Sequence, residues 1–413
     1  MTLVLTRLNR TALFALLAAA FLSTTACGVI PKRNPYPQES GEIAQIPGLP
    51  VQARFWGDEA PDFFYEAMEA LSDEEVREFL PAWVGGKHHY IAISGGGQDG
   101  AFGAGLITGW TASGTRPEFL LVTGISTGAL SAPFVFLGPD YDDELTAVYT
   151  TLKTDDLLET RPWTVIATSD AAFDSSKLRN IIGAFVDDEM IRRLAEENKR
   201  GRRLFIGTTN LDAKRPVIWN ITQIAASEYP EKKKLIGDVL LASASIPGAF
   251  PPVIIEVEKD GVTYDELHVD GGTVAQVFVY PAALDFRATL DRLQVEEPPT
   301  VYVIRNSKLK PEWEPIEPSI FNLAGTSVSS LIRTQGIGDL SLIYLLTQRD
   351  GGEFRLAYIP DEFDIDFNEP FDPAYMRELY KLGFDLGQQG YPWDTLPPAT
   401  KVISIGSEDL SDR

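Results

Sequence analysis

The sequence predicts an α/β domain with a largely parallel central sheet. Three observations carry this expectation. From residue 88 onward, short apolar runs alternate with helical stretches, the pattern of strands joined by crossover helices. Glycine-rich turns follow the first two of these strands and open the helices after them. Apolar residues make up 44% of the 413, enough to bury a core and to exclude global disorder.

In chain order, residues 1–26 carry only two charges, Arg7 and Arg10, followed by an unbroken apolar run from Ala12 to Leu22. That make-up predicts a secretory signal peptide, and the run is too short for a membrane span. Ser23, Thr24, Thr25 and Ala26 lead into Cys27, the only cysteine of the chain. This resembles a bacterial lipoprotein processing site, with Thr24 where such sites usually carry Leu. Cys27 is therefore the expected lipid-bearing N-terminus of a bacterial envelope protein, and Gly28 after it points to the outer membrane. The net charge is −23. A surface this acidic repels phosphate backbones, which excludes nucleic acid as a natural partner, and it gains nothing from an anionic bilayer. Membrane attachment would rest on Cys27.

Residues 27–55, with five prolines from Pro31 to Pro50, predict an extended tether. Residues 56–89 predict a helical extension, in which Ser72 and Glu75 form a capping box. Residues 90–285 predict the core: strands at Tyr90–Ile93, Phe119–Thr123, Arg203–Thr208 and Leu267–Val269, with helices over Ala101–Thr111 and from about Ala129. Residues 286–413 predict a C-terminal α/β extension packed on that core. It has a strand at Thr300–Ile304, a core-facing helix within Ser319–Leu346 and an amphipathic helix over Met376–Gln388.

Three motifs carry the chemistry. Gly95-Gly96-Gly97-Gln98-Asp99-Gly100 follows the first strand. A dinucleotide-binding turn of this form requires an acid at the end of the next strand. Leu120-Leu121-Val122-Thr123 stands there instead, which removes that reading and implies no cofactor. Glycines at a helix start can instead crowd backbone N–H groups around an anion, including one that exists only during a reaction. Gly124-Ile125-Ser126-Thr127-Gly128 lies between a strand and a helix, the setting of a nucleophile elbow. Asp270-Gly271-Gly272 closes a short strand, at the sheet edge where α/β proteins place their sites. Asp270 could take the Ser126 proton directly. His268, with an acid between residues 127 and 267, is the rival base; His88 and His89 precede the first strand and lie at the wrong end.

Together, in this order, the three motifs resemble the patatin-like phospholipase family. So do Thr208-Thr209-Asn210-Leu211-Asp212 and the stretch from Ala242 to Pro252. The resemblance covers about residues 90–285. It implies a three-layer α/β/α sandwich and lipid or acyl-ester substrates. It implies a Ser126–Asp270 dyad without histidine, an oxyanion hole from Gly95, Gly96 and Gly97, and no metal. Gly100, Gly124, Gly128, Gly271 and Gly272 are the remaining motif glycines. Asp99 departs from the family, which usually has Arg or Lys there, and so leaves phospholipid or a neutral acyl ester as substrate.

Overall fold

Residue pattern fixes the layers. In the first central strand, Ile91 and Ile93 alternate with Tyr90 and Ala92, and the two sets enter different apolar clusters. A strand apolar on both faces must be covered on both. The structure, a computed structural model, describes residues 33–37, 42–161, 169–284, 286–311, 313 and 315–398. The expected signal segment and Cys27 lie outside the described residues.

The strands are β1 (Arg54–Trp56), β2 (His89–Ile93), β3 (Leu121–Gly124), β4 (Glu159–Thr160), β5 (Phe173–Asp174), β6 (Arg203–Asn210), β7 (Arg215–Asn220), β8 (Val253–Lys259), β9 (Val262–Asp270), β10 (Thr300–Arg305) and β11 (Glu353–Tyr358). The main sheet runs β1-β7-β6-β3-β2-β10-β11, with the β8–β9 hairpin attached to the end of β6. The central neighbours β6, β3, β2, β10 and β11 are all parallel. The antiparallel pairs are β7 on β6, β1 on β7, β9 on β6 and β8 on β9, with β4 and β5 forming a separate antiparallel ribbon. Helices cover both faces, giving the expected three-layer α/β/α sandwich.

Gly100–Ala112 and Thr127–Leu137 form the helices that follow the two glycine turns. The C-terminal helix Pro373–Gln389 lies directly on the first of them. Its close approach needs bare backbone: a Cβ on Gly105 would stand 2.0 Å from the Tyr380 carbonyl oxygen. Ser72 and Glu75 form the reciprocal cap at the start of Asp73–Phe79.

Three expectations are corrected. The tether does not run to residue 55, because Ala44 and Ile46 are buried in the core and Arg54–Trp56 pairs with β7. The segment after residue 285, expected to pack on the core as an extension, contributes to its sheet: β10 inserts beside β2. The helix Ile320–Arg349 faces the core only over its second half, through Leu340 and Ile343. Leu323, Val328 and Leu331 in its first half are exposed, Leu331 at 69%. Among the described residues no helix is long and apolar enough to cross a membrane.

Candidate functional site

β3 ends at Gly124, and two residues later the chain enters the helix Thr127–Leu137. Ser126 occupies the turn with φ 56° and ψ −126°. This is the sharp strand-to-helix bend that the G-x-S-x-G pattern predicts, and a non-glycine residue there must be held by its surroundings. Close packing does so. A Cβ on Gly124 would lie 2.4 Å from the Gly128 carbonyl oxygen, and one on Gly128 would lie 2.3 Å from that of Ile93. The Ser126 N–H donates to Ser243 Oγ at 3.0 Å, and Ser243 Oγ–H donates to the Gly207 carbonyl at 2.7 Å. Ser126 itself is 7% exposed.

β9 brings Asp270 to the same place. Its backbone is fixed by the Ser245 carbonyl, which accepts the Asp270 N–H at 2.9 Å. Thr209 Oγ1–H donates to the Asp270 carbonyl at 3.0 Å. Asp270 Oδ1 accepts the Gly272 N–H at 2.7 Å. Burial pushes the carboxyl up to about 7, opposed by hydrogen bonding from the Ser126 hydroxyl and the Gly272 N–H. Oδ2 is buried without a well-aligned partner. No hydrogen bond joins the Ser126 hydroxyl to Oδ2.

The glycine loop completes the site. A Cβ on Gly95 would stand 3.1 Å from Ser126 Cβ, so the loop passes directly over the serine. Gly96 has φ 153°, and a side chain there would meet the Asn306 carbonyl oxygen at 2.2 Å. Of the three glycines, Gly95 is not a free donor, since its N–H is directed at the Gln276 carbonyl at 3.3 Å. The N–H groups of Gly96 and Gly97 are taken by no protein acceptor among the described residues. Asn306, at the end of β10, clamps this loop: its N–H donates to Ser94 Oγ at 2.9 Å and its Nδ2 to the Ser94 carbonyl at 3.0 Å.

The motif glycines of all three segments thus converge. Gly100 leaves room for Thr127 Oγ1, and Gly271 lets its chain approach the Gly207 carbonyl. Ser243, Asn306 and Gln276 carry the supporting hydrogen bonds and were not singled out by the sequence. Ser243 lies inside the stretch Ala242–Pro252, and Asn306 is a polar residue at the carboxyl end of a predicted strand. Those positions were the available signals.

The histidines are elsewhere. His268 is fully buried, with Nε2 at 3.0 Å from Glu266 Oε2 and Nδ1 at 3.0 Å from Thr208 Oγ1. Both ring nitrogens are occupied and neither partner is Ser126. Burial lowers its pKa, with Glu266 acting in the opposite sense. Glu266 is also paired with Arg54 at 2.6 Å. Burial alone would raise the Glu266 carboxyl, but the charge of Arg54 and the His268 bond bring it down to about 2. His88 is held by the Tyr90 hydroxyl and the Trp83 carbonyl. Asp99, at the start of the helix after the loop, accepts a hydrogen bond from the Tyr375 hydroxyl at 2.7 Å.

A doubly covered parallel sheet with a serine elbow at its carboxyl edge defines an α/β protein of patatin-like fold. Residues 91–283 match the family model described as patatin-like phospholipase. A solved structure, VipD from Legionella pneumophila, is similar over 73% of this chain and 66% of its own, with 14% identity and a TM-score of 0.38. The match thus spans just under two thirds of that relative's length. None of the curated proteins compared with the chain matches it.

Proposed function

We propose that the protein is a serine acyl hydrolase that cleaves fatty acyl esters with Ser126 as nucleophile and Asp270 as base. The observation that carries this reading is the buried Asp270 carboxyl beside the Ser126 hydroxyl, with a pKa near 7. A base is most effective when its pKa lies close to the working pH, and an ordinary carboxylate is too weak.

The reaction follows in two halves. Asp270 takes the Ser126 proton as Oγ attacks the ester carbonyl. The carbonyl oxygen becomes an oxyanion, held by the Gly96 and Gly97 N–H groups at roughly 3 kcal/mol per donor. The intermediate collapses, Asp270 returns the proton to the departing alcohol, and the acyl group stays on Ser126. Water then attacks the acyl ester with Asp270 again as base. This releases a fatty acid and restores the hydroxyl. Gly95 supplies space at the serine rather than a donor, and no step calls for a metal or organic cofactor.

The substrate is an acyl ester at a membrane, reached through a lipid on Cys27 in the bacterial cell envelope, at the outer membrane. Tethering an enzyme at a surface raises its effective concentration toward lipids there. Asp99 favours a neutral head group. A second negative charge brought within 4–6 Å of it would be repelled by about 1–4 kcal/mol at intermediate dielectric. The test is hydrolysis of a neutral acyl ester and of an anionic phospholipid by the purified protein and its Ser126→Ala variant. The reading requires turnover that disappears in the variant; equal rates in both proteins would remove it.

A further inference from the structure

A cavity lies at the opposite end of β3 from Ser126. Arg203, the first residue of β6, is 9% exposed. Its Nη1 donates to the carbonyls of Asn198 and Arg202, at 3.1 and 3.0 Å. Nε and Nη2 have no hydrogen-bond partner among the described residues, and the guanidinium has no carboxylate partner. The other deeply buried arginines differ. Arg54 is paired with Glu266, Arg116 with Asp142 and Arg202 with Glu197. Arg305, although it makes no ion pair among the described residues and lies near Arg333, feels the charge of Asp339. Burial alone acts on Arg203 and lowers it to about 10. An uncompensated buried cation is costly, and proteins normally pair such a charge. In a chain with 59 acidic residues, an acid was available and is not there.

Arg203 stands at the wall of a cavity of about 180 Å³. The rest of the wall is mostly apolar and strongly aromatic: Phe55, Phe64, Phe205, Leu284 and Phe286 line it, and the Phe79 ring lies 5.6 Å from the guanidinium carbon. Leu121 and Arg203 begin their strands, so the cavity sits toward the amino ends of β3 and β6. Ser126 lies past the carboxyl end of β3. The two sites are distinct.

We propose that this cavity binds an amphiphilic monocarboxylate, with the carboxylate on Arg203 and a short apolar tail among the aromatic rings. Charge selects the head group: the open edge of a planar guanidinium accepts a carboxylate in bidentate fashion. Volume selects the tail. An apolar cavity of about 150 Å³ holds a benzene ring, so this one, about a fifth larger, takes a tail of about five to seven carbons. A free fatty acid is the chemistry that an acyl hydrolase releases, but the site itself rests on Arg203 and the cavity, not on the catalytic reading.

The experiment is calorimetric titration of the full-length Ser126→Ala protein with octanoate and with octanol. The expected result is saturable one-to-one binding, with octanoate at least tenfold tighter. Arg203→Met should bring octanoate down to the affinity of octanol and leave octanol unchanged. Leu284→Trp, which fills the cavity, should remove binding of both. A diazirine-bearing octanoate should label the segments 52–64 or 279–289 in Ser126→Ala, which decides the matter even if a variant fails to fold. Absence of saturable binding, labelling confined to the surroundings of residue 126, or octanoate affinity unchanged in both cavity variants would overturn the proposal. Turnover is not read in any arm, so its failure and the failure of the hydrolase reading are separate events.

Discussion

His268 and Asp270 stand two residues apart on β9, yet the Ser126 hydroxyl acts on the Asp270 carboxyl and not on the His268 ring. His268 is held by Glu266 and Thr208, and Glu266 in turn by Arg54. The imidazole therefore belongs to a buried polar cluster that fixes the strand carrying the carboxylate. His268→Ala should lose about 3 kcal/mol of stability, from the cavity and the broken hydrogen bonds. Its kcat at a temperature where it is folded should stay within about tenfold, equivalent to roughly 1.4 kcal/mol of barrier. Chemical denaturation and initial rates on the same preparation check both halves. A thousandfold loss in a well-folded variant would restore the triad reading.

The pH profile follows from the same carboxyl. As the proposed base, Asp270 would act only when ionised, and burial raises it to about 7. The value of kcat/KM should fall about tenfold per pH unit below that point. Asp270→Asn should lower kcat by roughly 10²–10⁴-fold and abolish this limb of the profile. A flat profile from pH 5 to 8 in the native protein would count against Asp270 as the base.

Asp270 should also cost stability. Its carboxyl is raised from 3.8 to about 7 on folding, so the folded state holds a proton that the unfolded chain has released. The penalty is absent below the unfolded value and grows as pH rises through that window, reaching on the order of 4 kcal/mol above pH 7. Asp270→Asn keeps an acceptor for the Gly272 N–H and removes the charge. Its melting temperature relative to the native protein should increase from pH 5 to about pH 7 and level off above it. A difference that does not change with pH would mean the carboxyl is not perturbed.

The elbow depends on bare backbone at one point above all. Gly128→Ala would place a Cβ 2.3 Å from the Ile93 carbonyl oxygen, where no flexible group can yield. It should cost about 3 kcal/mol or more. Gly183→Ala, in the helix Ser176–Phe185 with nothing within 4 Å, should be neutral or stabilising by up to about 1 kcal/mol. Paired denaturant titrations would show the contrast; similar effects at both positions would contradict the packing described.

Much of this was legible in the sequence. Glycine motifs between a strand and a helix located Ser126, Asp270 and the loop over them, because tight turns need particular residue types within a few positions. The rest depends on partners far apart in the chain. β7 contains Pro216 and gains its place only by pairing with β6 and β1. Ala44 and Ile46 sit in a proline-rich stretch that reads as a tether, yet they are buried against the core. Apolar content made Ile320–Arg349 read as a core helix, although its first half has no core to face. Asn306 becomes a clamp only because β10 lies next to β2, which local pattern does not specify.

The central claim is that Ser126 is an activated nucleophile served by Asp270. The most direct measurement is fluorophosphonate labelling of the folded protein, with the modified residue located by peptide mass spectrometry. A single adduct on Ser126 is expected, with labelling strongly slowed in Asp270→Asn and near the native rate in His268→Ala. No adduct on Ser126 in a folded, monodisperse preparation, or full-rate labelling in Asp270→Asn, would contradict it.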